Sequence, residues 1–154
     1  MDIIIIKQNY NECMAHIQII RNNTALTIDE QKYIDAWIKE SIKWGNGFVI
    51  FAKQQKKIVG IALLEFLHFD PQNQFDQPKM LHFIWVDPKM RRKGVGKLLL
   101  QQESEVYGTP CSDSADKFFT GIGWHISPNG PSLDGCYLWQ TPQEQNKSNL
   151  EITT

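Results

Sequence analysis

The sequence predicts a single domain of the α+β or α/β class, built around a mixed β-sheet. Three observations lead to this prediction. β-rich runs recur along the chain, segments with helical periodicity interrupt them, and 154 residues suffice for one domain with a substantial core. Hydrophobic residues make up 42% of the chain and charged residues 21%, which is ordinary for a soluble globular protein. The domain is expected to cover residues 1–142, and the polar tail 143–154 is expected to be disordered.

The N-terminal part alternates between extended and helical patterns. Residues 2–8 contain four consecutive isoleucines, a run too short for a membrane span, and we expect a buried first strand there. Residues 11–21 have a weaker helical pattern. A clearer helix begins at Thr27, because Thr27 and Glu30 have the spacing of a capping box. Its apolar residues recur at intervals of three and four until Gly45 ends the pattern.

Three β-rich runs follow this helix. The first two surround the polar turn 54–57 and predict a hairpin. A proline-bracketed loop over residues 70–78 leads into the third run at 80–86, which we expect to lie antiparallel beside the second. The remaining expected elements are a helix over about 92–106, a short extended piece at Cys111, a helix through Phe119, and strands at 124–127 and 136–140.

Charge and cysteine content limit the classes of function. The net charge is −1, so bulk electrostatics give no reason to expect nucleic acid or an anionic membrane as a partner. The three cysteines Cys13, Cys111 and Cys136 are odd in number and widely spaced, which argues against disulfides and a structural zinc site. We therefore expect a cytoplasmic protein without a metal.

One short segment concentrates positive charge. Five of the nine residues from Lys89 to Lys97 are basic, and Gly94 and Gly96 remove side chains from a turn between a predicted strand and a predicted helix. Backbone N–H groups at a helix start bind anions, so the pattern indicates a phosphate site. The spacing matches neither a Walker loop, which needs a glycine at 91, nor a dinucleotide fingerprint, which needs one at 99.

The segment that remains, R-x-x-G-x-G over residues 91–96, resembles the signature of the GNAT superfamily of acetyl-CoA-dependent N-acyltransferases, and Val86-Asp87-Pro88 fits its usual lead-in. A second stretch, 115–124, is similar to the family's A-x-x-[LF]-Y-x-x-x-G-[FW] motif. The resemblance covers about residues 47–140. Over the first 46 residues, only the order of the predicted helices and strands is similar. It implies the GNAT fold: a central, mixed, mostly antiparallel sheet of about six to seven strands with helices on both faces.

The resemblance also implies a coenzyme site and acetyl-CoA as co-substrate. Backbone groups of Ile84, Trp85 and Val86 would pair with the pantetheine arm, and Phe118 and Phe119 would flank its thiol end. The loop that would hold the pyrophosphate consists of Arg91, Arg92, Lys93, Gly94, Val95, Gly96 and Lys97. The backbone N–H near Val86 would be the usual oxyanion donor.

His82 is the candidate general base. It lies two residues before Ile84 on the same predicted strand, and its position resembles the strand histidine of arylalkylamine N-acetyltransferases. An imidazole titrates close to neutral pH, which suits a general base that removes a proton from an ammonium group. The alternative is a histidine packed in the sheet. Glu65 and His68, on the preceding strand, come near His82 if the strands pair as predicted, and either could orient it, relay a proton through water or face solvent.

Two positions depart from the family pattern. Phenylalanine stands at 119, where the family has the tyrosine that protonates the leaving thiolate, and serine stands at 112, where asparagine is common. Phe119 cannot donate a proton, so water or a group such as Ser112 would have to do so. This departure favours a rival interpretation, a catalytically silent acyl-CoA-binding module.

The sequence thus predicts an N-acetyltransferase that moves an acetyl group directly from acetyl-CoA to a primary amine, with a small molecule favoured over a peptide. Its expected partners are acetyl-CoA and this amine, without nucleic acid or membrane, in a monomer or homodimer. A small nucleic-acid-binding domain is a further rival. The net charge of −1 and the lack of aromatic residues among the basic ones weigh against it.

Overall fold

The computed structural model describes residues 2–9, 12, 19, 22–109, 113–130 and 137–142. The predicted helix at 11–21, Ser112, the extended piece at Cys111, Cys136 and the tail 143–154 lie wholly or largely outside these residues. The strands are β1 (Ile3–Asn9), β2 (Gly47–Gln54), β3 (Lys57–Phe66), β4 (Lys79–Val86), β5 (Val106–Gly108), β6 (His125–Ile126) and β7 (Trp139–Gln140). The helices are α1 (Ile28–Trp44), a 3-10 turn (Pro88–Met90), α2 (Val95–Leu100) and α3 (Asp113–Gly121).

The strands form a mixed sheet of seven in the order β1-β2-β3-β4-β5-β7-β6. The pairs β1/β2, β2/β3, β5/β7 and β6/β7 are antiparallel, and β4/β5 is parallel. This arrangement confirms the predicted fold class, including the hairpin of β2 and β3 and the neighbouring positions of β3 and β4. No helix among the described residues combines the length and apolar character needed to cross a bilayer.

The described residues belong to two compact units. The first contains Met1–Glu65 and Phe83–Gln101, and the second contains Phe66–His82 and Gln102–Thr154. Strand β4 contributes residues to both units. Each unit has its own packing and its own polar anchors, described in turn below.

Helix α1 begins where the sequence predicts. The Thr27 N–H donates to Glu30 Oε1 at 2.8 Å, and the Glu30 N–H donates to Thr27 Oγ1 at 3.1 Å, so the capping box is formed. The helix places Ile34 and Ile38 in the core of the first unit. This core consists of Leu26, Ile34, Ile38, Val49, Phe51, Ile58, Ile61, Leu63 and Trp85.

Helix α2 packs closely on β3 through Gly60. A Cβ atom at Gly60 would lie 3.0 Å from both Leu99 Cδ1 and Val95 Cγ1, so a larger residue would push the helix away. Gly60 and Ile61 are consecutive on a strand and therefore face opposite sides of it. Since Ile61 faces the core beneath α1, β3 is covered on both faces within the first unit.

The predicted helix over about 92–106 is wrong in length, because α2 covers only Val95–Leu100. On its N-terminal side, Arg92 and Gly94 have φ values of 65° and 83°, which a right-handed helix does not allow. On its C-terminal side, Glu105 has a φ of 57°, and the Lys79 ammonium binds the segment between the helix and β5. It donates to the Ser104 carbonyl at 2.6 Å and lies 3.6 Å from Glu103 Oε1. Part of the range predicted as helix and the residues just after it form β5, Val106–Gly108.

In the second unit, the carboxylate of Asp70 orders the loop that precedes β4. Its Oδ1 accepts from the Gln72 N–H at 2.8 Å and from the Tyr107 hydroxyl at 2.6 Å. Its Oδ2 accepts from the Gln74 N–H at 2.8 Å and from the Phe75 N–H. One side chain therefore binds three loop amides and a buried tyrosine of β5.

These contacts shift the acidity of both side chains. Burial raises the pKa of Asp70, but its hydrogen bonds to Tyr107 and the loop amides lower it by more, so the net pKa lies below the ordinary value of an aspartate. Burial, and then the hydrogen bond to Asp70, raise the pKa of Tyr107 well above its ordinary value. A lowered carboxyl pKa stabilises the fold above the pKa of the unfolded group. This contribution is lost as pH falls through the lower folded pKa.

Asp70→Asn should lower the free energy of unfolding by about 2 kcal/mol at pH 7, because an amide cannot accept from all four donors. The difference from wild type should shrink as pH falls below about 4, the ordinary pKa of the unfolded carboxyl, towards the lower pKa of the folded one. Urea unfolding at several pH values measures both effects. Asp76→Asn, an exposed change in the same loop, is the matched control and should stay within about 0.5 kcal/mol of wild type. A difference that does not vary with pH would contradict the assignment.

Candidate active site

The end of β4 is fixed by Asp87, which is only 1% exposed. Its N–H donates to the Val59 carbonyl of β3 at 2.8 Å. Its Oδ1 accepts from the Lys89 N–H at 2.9 Å, and its carbonyl accepts from the Met90 N–H at 2.7 Å. Asp87 thereby caps the 3-10 turn that follows the strand and sets the direction in which the chain leaves the sheet.

A lysine from β3 faces the same carboxylate. Lys57 Nζ lies 3.3 Å from Asp87 Oδ2, and the lysine side chain remains 58% exposed while the aspartate side chain is 2% exposed. Burial raises the pKa of Asp87, but the Lys89 N–H and the Lys57 ammonium together lower it by a larger amount. Its net pKa therefore lies below the ordinary value. The aspartate is therefore held as an anion at neutral pH.

The predicted coenzyme loop follows as a left-handed turn. Arg92 has φ 65° and Gly94 has φ 83°, and Gly94 is the N-cap of α2. The prediction that both glycines lie in the turn is correct only for Gly94, since Gly96 is a buried residue inside the helix. Val95 is also buried. The exposed residues of this loop are Arg91, Arg92, Lys93, Gly94 and Lys97.

One of these side chains folds back onto the strand. Arg91 Nε donates to the Val86 carbonyl at 3.1 Å, which ties the loop to the last residue of β4. Because Val86 is one of the three residues predicted to pair with the pantetheine arm, part of its acceptor capacity is already used. The second lone pair of the Val86 carbonyl and the Val86 N–H are the groups left for that role.

The predicted catalytic and strand residues lie along β4. The parallel pairing with β5 covers Lys79, Met80 and Leu81, so it ends one residue before His82. His82 is exposed, and the alternation of the strand places it on the same face as Ile84 and Val86. Trp85 has the opposite orientation: its ring is 3% exposed in the core of the first unit. Only its backbone is suited to the predicted role.

Phe119 is fixed in the second unit by aromatic packing. Its ring is 4% exposed, stacks on Trp124 at 5.1 Å with an interplanar angle of 9°, and lies 5.7 Å from Trp139 and from Phe118. It also lies directly over β5, since a Cβ atom at Gly108 would come within 2.5 Å of Phe119 Cζ. The Trp139 indole is held in place by a 3.1 Å hydrogen bond to Asp116.

The structure therefore assembles the predicted residues in two groups. The loop 91–97 and the end of β4 meet in the first unit, whereas Phe118 and Phe119 belong to the aromatic cluster of the second. Sequence reasoning treated Asp87 only as part of a lead-in motif and did not identify Lys57. An Asp-Pro pair after a strand is a recognisable helix-start signal and could have indicated the capping role of Asp87. Nothing in the sequence pairs it with Lys57.

Comparison with known proteins gives the family of this chain. The family model described as Acetyltransferase (GNAT) family matches residues 11–105. The chain belongs to this family of acetyltransferases. A search of curated protein sequences finds no match.

Several solved structures share the fold. A protein assigned to the GNAT acetyltransferase family from Desulfovibrio desulfuricans has a TM-score of 0.60 and 12% identity, with 90% of this chain and 97% of that chain covered. The PaiA N-acetyltransferase from Thermoplasma acidophilum, solved with coenzyme A, has a TM-score of 0.53 and 16% identity, with 90% and 98% covered. An aminoglycoside acetyltransferase from an uncultured soil metagenomic sample, solved with sisomicin, has a TM-score of 0.55 and 20% identity, with 79% and 87% covered.

The close approach of Phe119 to Gly108 leads to a stability prediction. Gly108→Ala should lower the free energy of unfolding by about 1–3 kcal/mol, because the new methyl group overlaps the phenyl ring. Phe119→Leu removes that overlap, so the double variant should be less destabilised than the sum of the two single variants, by about 0.5–3 kcal/mol. Urea unfolding of the four proteins measures this coupling. Strictly additive changes would show that the two residues do not share a contact.

Proposed function

We propose that this chain is an N-acetyltransferase that moves an acetyl group from acetyl-CoA directly to a primary amine of a small molecule. The observation that carries the proposal is the anchored basic turn at the end of β4, in a chain whose net charge is only −1. The loop offers exposed cationic side chains and the free N–H groups of a helix start, which suit a pyrophosphate. The coenzyme A bound to the Thermoplasma protein supports this choice of ligand.

In the proposed complex, the pyrophosphate lies against residues 91–97, with Arg92, Lys93 and Lys97 as the charged contacts. The pantetheine arm runs along the backbone of Ile84, Trp85 and Val86, beyond the stretch of β4 that pairs with β5. An extended amide chain can hydrogen-bond to strand backbone as another strand would. The half-buried Phe118 supplies apolar surface near the thiol end, and the buried Phe119 packs against it.

The reaction follows from the side chains along β4. His82 removes a proton from the ammonium group, directly or through water, and the neutral amine attacks the thioester carbonyl. The backbone N–H near Val86 stabilises the oxyanion. The C–N bond forms, the nitrogen gives up its second proton to solvent, the C–S bond breaks, and the thiolate leaves. Phe119 has no proton to donate, so we assign thiolate protonation to solvent, with Ser112 as an alternative donor. Whether Glu65 or His68 orients His82 stays a prediction.

The acceptor is proposed as a small primary amine, since the aminoglycoside acetyltransferase of similar fold was solved with sisomicin. A second function is favoured by one observation, the phenylalanine at 119. A chain without the expected proton donor suits a catalytically silent module that binds acyl-CoA. Release of free thiol from acetyl-CoA, followed with a panel of amines and without amine, separates the two functions.

Binding of the coenzyme is the first test. Acetyl-CoA or CoA at about 100 times Kd should add about 2.7 kcal/mol to the free energy of unfolding. For a chain of this size the corresponding rise in Tm is about 5–11 °C. ATP and NAD, at the same concentration, are the controls and should give much smaller shifts. No shift with CoA, or equal shifts with ATP, would contradict the proposal.

The role of His82 is tested by the pH dependence of catalysis. His82→Ala should leave CoA affinity unchanged and lower the transfer rate by about 10²- to 10⁴-fold, as expected for loss of a general base. The acidic limb of the kcat/KM profile should disappear, and activity should partly recover at high pH, where the amine is already neutral. His125→Ala, at an exposed histidine of β6, is the matched control. An unchanged profile in the His82 variant would show that His82 is not the base.

A further inference from the structure

The carboxylate of Asp87 has two oxygens with different surroundings. Oδ1 accepts the Lys89 N–H at 2.9 Å and so belongs to the cap of the 3-10 turn. Oδ2 is buried and has no hydrogen bond of normal geometry among the described residues. The cation nearest to it is Lys57, whose Nζ lies at 3.3 Å, close enough for an ion pair. The buried negative charge therefore depends on Lys57 for compensation.

The two residues join elements that are distant in sequence. Lys57 is the first residue of β3, and Val59, two residues later, accepts the Asp87 N–H at 2.8 Å. The start of β3 thus holds Asp87 twice, through a backbone hydrogen bond and through an ion pair. Asp87 in turn is followed at once by the 3-10 turn and the left-handed turn of the proposed coenzyme loop.

We propose that Lys57 is a positioning residue for the coenzyme, acting through an ion-pair clamp with Asp87 that fixes the loop 91–97. The proposal rests on the proposed function, in which this loop holds the pyrophosphate. Lys57 does not touch the coenzyme in this role. It keeps Asp87 charged and in place, and Asp87 sets the direction of the chain that presents the loop N–H groups to the anion.

The clamp explains why a mostly exposed lysine would influence affinity. Without Lys57, the buried Oδ2 is left uncompensated, so the carboxylate must turn towards water or take up a proton. Either change weakens the cap at Lys89 and loosens the turn that follows. Because the lysine side chain is 58% exposed, solvent screens the pair and the effect should be moderate. We expect CoA affinity to fall by about three- to tenfold.

The chain offers well-matched variants for a test. Lys57→Met removes the charge and keeps the length of the side chain. Asp87→Asn removes the charge and keeps an oxygen that can accept the Lys89 N–H. Lys57→Arg restores a cation. Lys56→Met, at the exposed neighbouring residue of the hairpin turn, makes the same change in net charge and is the control.

CoA binding to the full chain is measured by isothermal titration calorimetry, and Tm is recorded for each variant. Lys57→Met and Asp87→Asn should each raise Kd for CoA about three- to tenfold. The Kd of the double variant should not exceed the larger of the two single-variant values. Lys57→Arg should bind nearly as wild type, and Lys56→Met should be unchanged. With a working amine, Lys57→Met should raise KM for acetyl-CoA and leave kcat unaltered.

The outcomes distinguish this inference from the proposed function. If wild type binds CoA and Lys57→Met binds equally well, even with a lowered Tm, the ion pair is only structural and the positioning role is overturned. Equal losses in Lys56→Met and Lys57→Met would overturn it as well, because they would reflect net charge. If wild type itself does not bind CoA, the proposed function fails and the inference falls with it. Should Asp87→Asn not fold, the surface variants at Lys57 and Lys56 still decide the matter.

Discussion

A buried carboxylate at the end of a strand is the constraint on which the candidate site depends. The chain must leave β4, turn through two residues of left-handed backbone and enter α2 within eight residues of Asp87. Such a course leaves N–H groups without partners in a sheet or helix, and a carboxylate at the end of the strand can accept from one of them in a charge-assisted hydrogen bond. Asp87 does so while its own charge is balanced by Lys57. The position of the basic turn follows from this pair.

In the second unit, Asp70 orders a loop in a similar way. Its carboxylate accepts from three loop amides and from the Tyr107 hydroxyl, so the loop before β4 is attached to β5. Both aspartates have lowered pKa values, since hydrogen bonds and, at Asp87, a cation outweigh the effect of burial. In each unit, loop order therefore depends on an ionised carboxylate. Regular secondary structure alone would not define either segment.

Position 119 is one of the two at which the chain departs from the family pattern, and the packing there gives a physical reason for tolerance of the change. Phe119 is enclosed by Trp124, Trp139 and the backbone at Gly108. A phenyl ring fills this apolar space without an unsatisfied hydroxyl. The ring is thus well suited to packing and unsuited to proton transfer. Under the proposed function, proton transfer is carried out by His82, which is exposed on β4, and by solvent.

Much of the fold was determined by local sequence signals. The capping box at Thr27 and Glu30, the hairpin around residues 55 and 56, and the glycine-bearing basic turn each depend on residues close together in the chain, so their patterns could be recognised directly. Membership of the GNAT family was likewise indicated by two short motifs and is shown by the family match over residues 11–105.

Other features were decided only by the tertiary structure, because they depend on residues far apart in sequence. Helix α2 ends at Leu100, where local propensity alone would continue it, and the segment that follows is bound by Lys79 of β4 through the Ser104 carbonyl. Gly108 lies in a strand under Phe119, a close approach that no local pattern encodes. The pairing of Lys57 with Asp87 joins residues that are brought together only when β3 and β4 become neighbours in the sheet. Long-range pairing of this kind is set by the packing of the whole sheet, which a single sequence does not display.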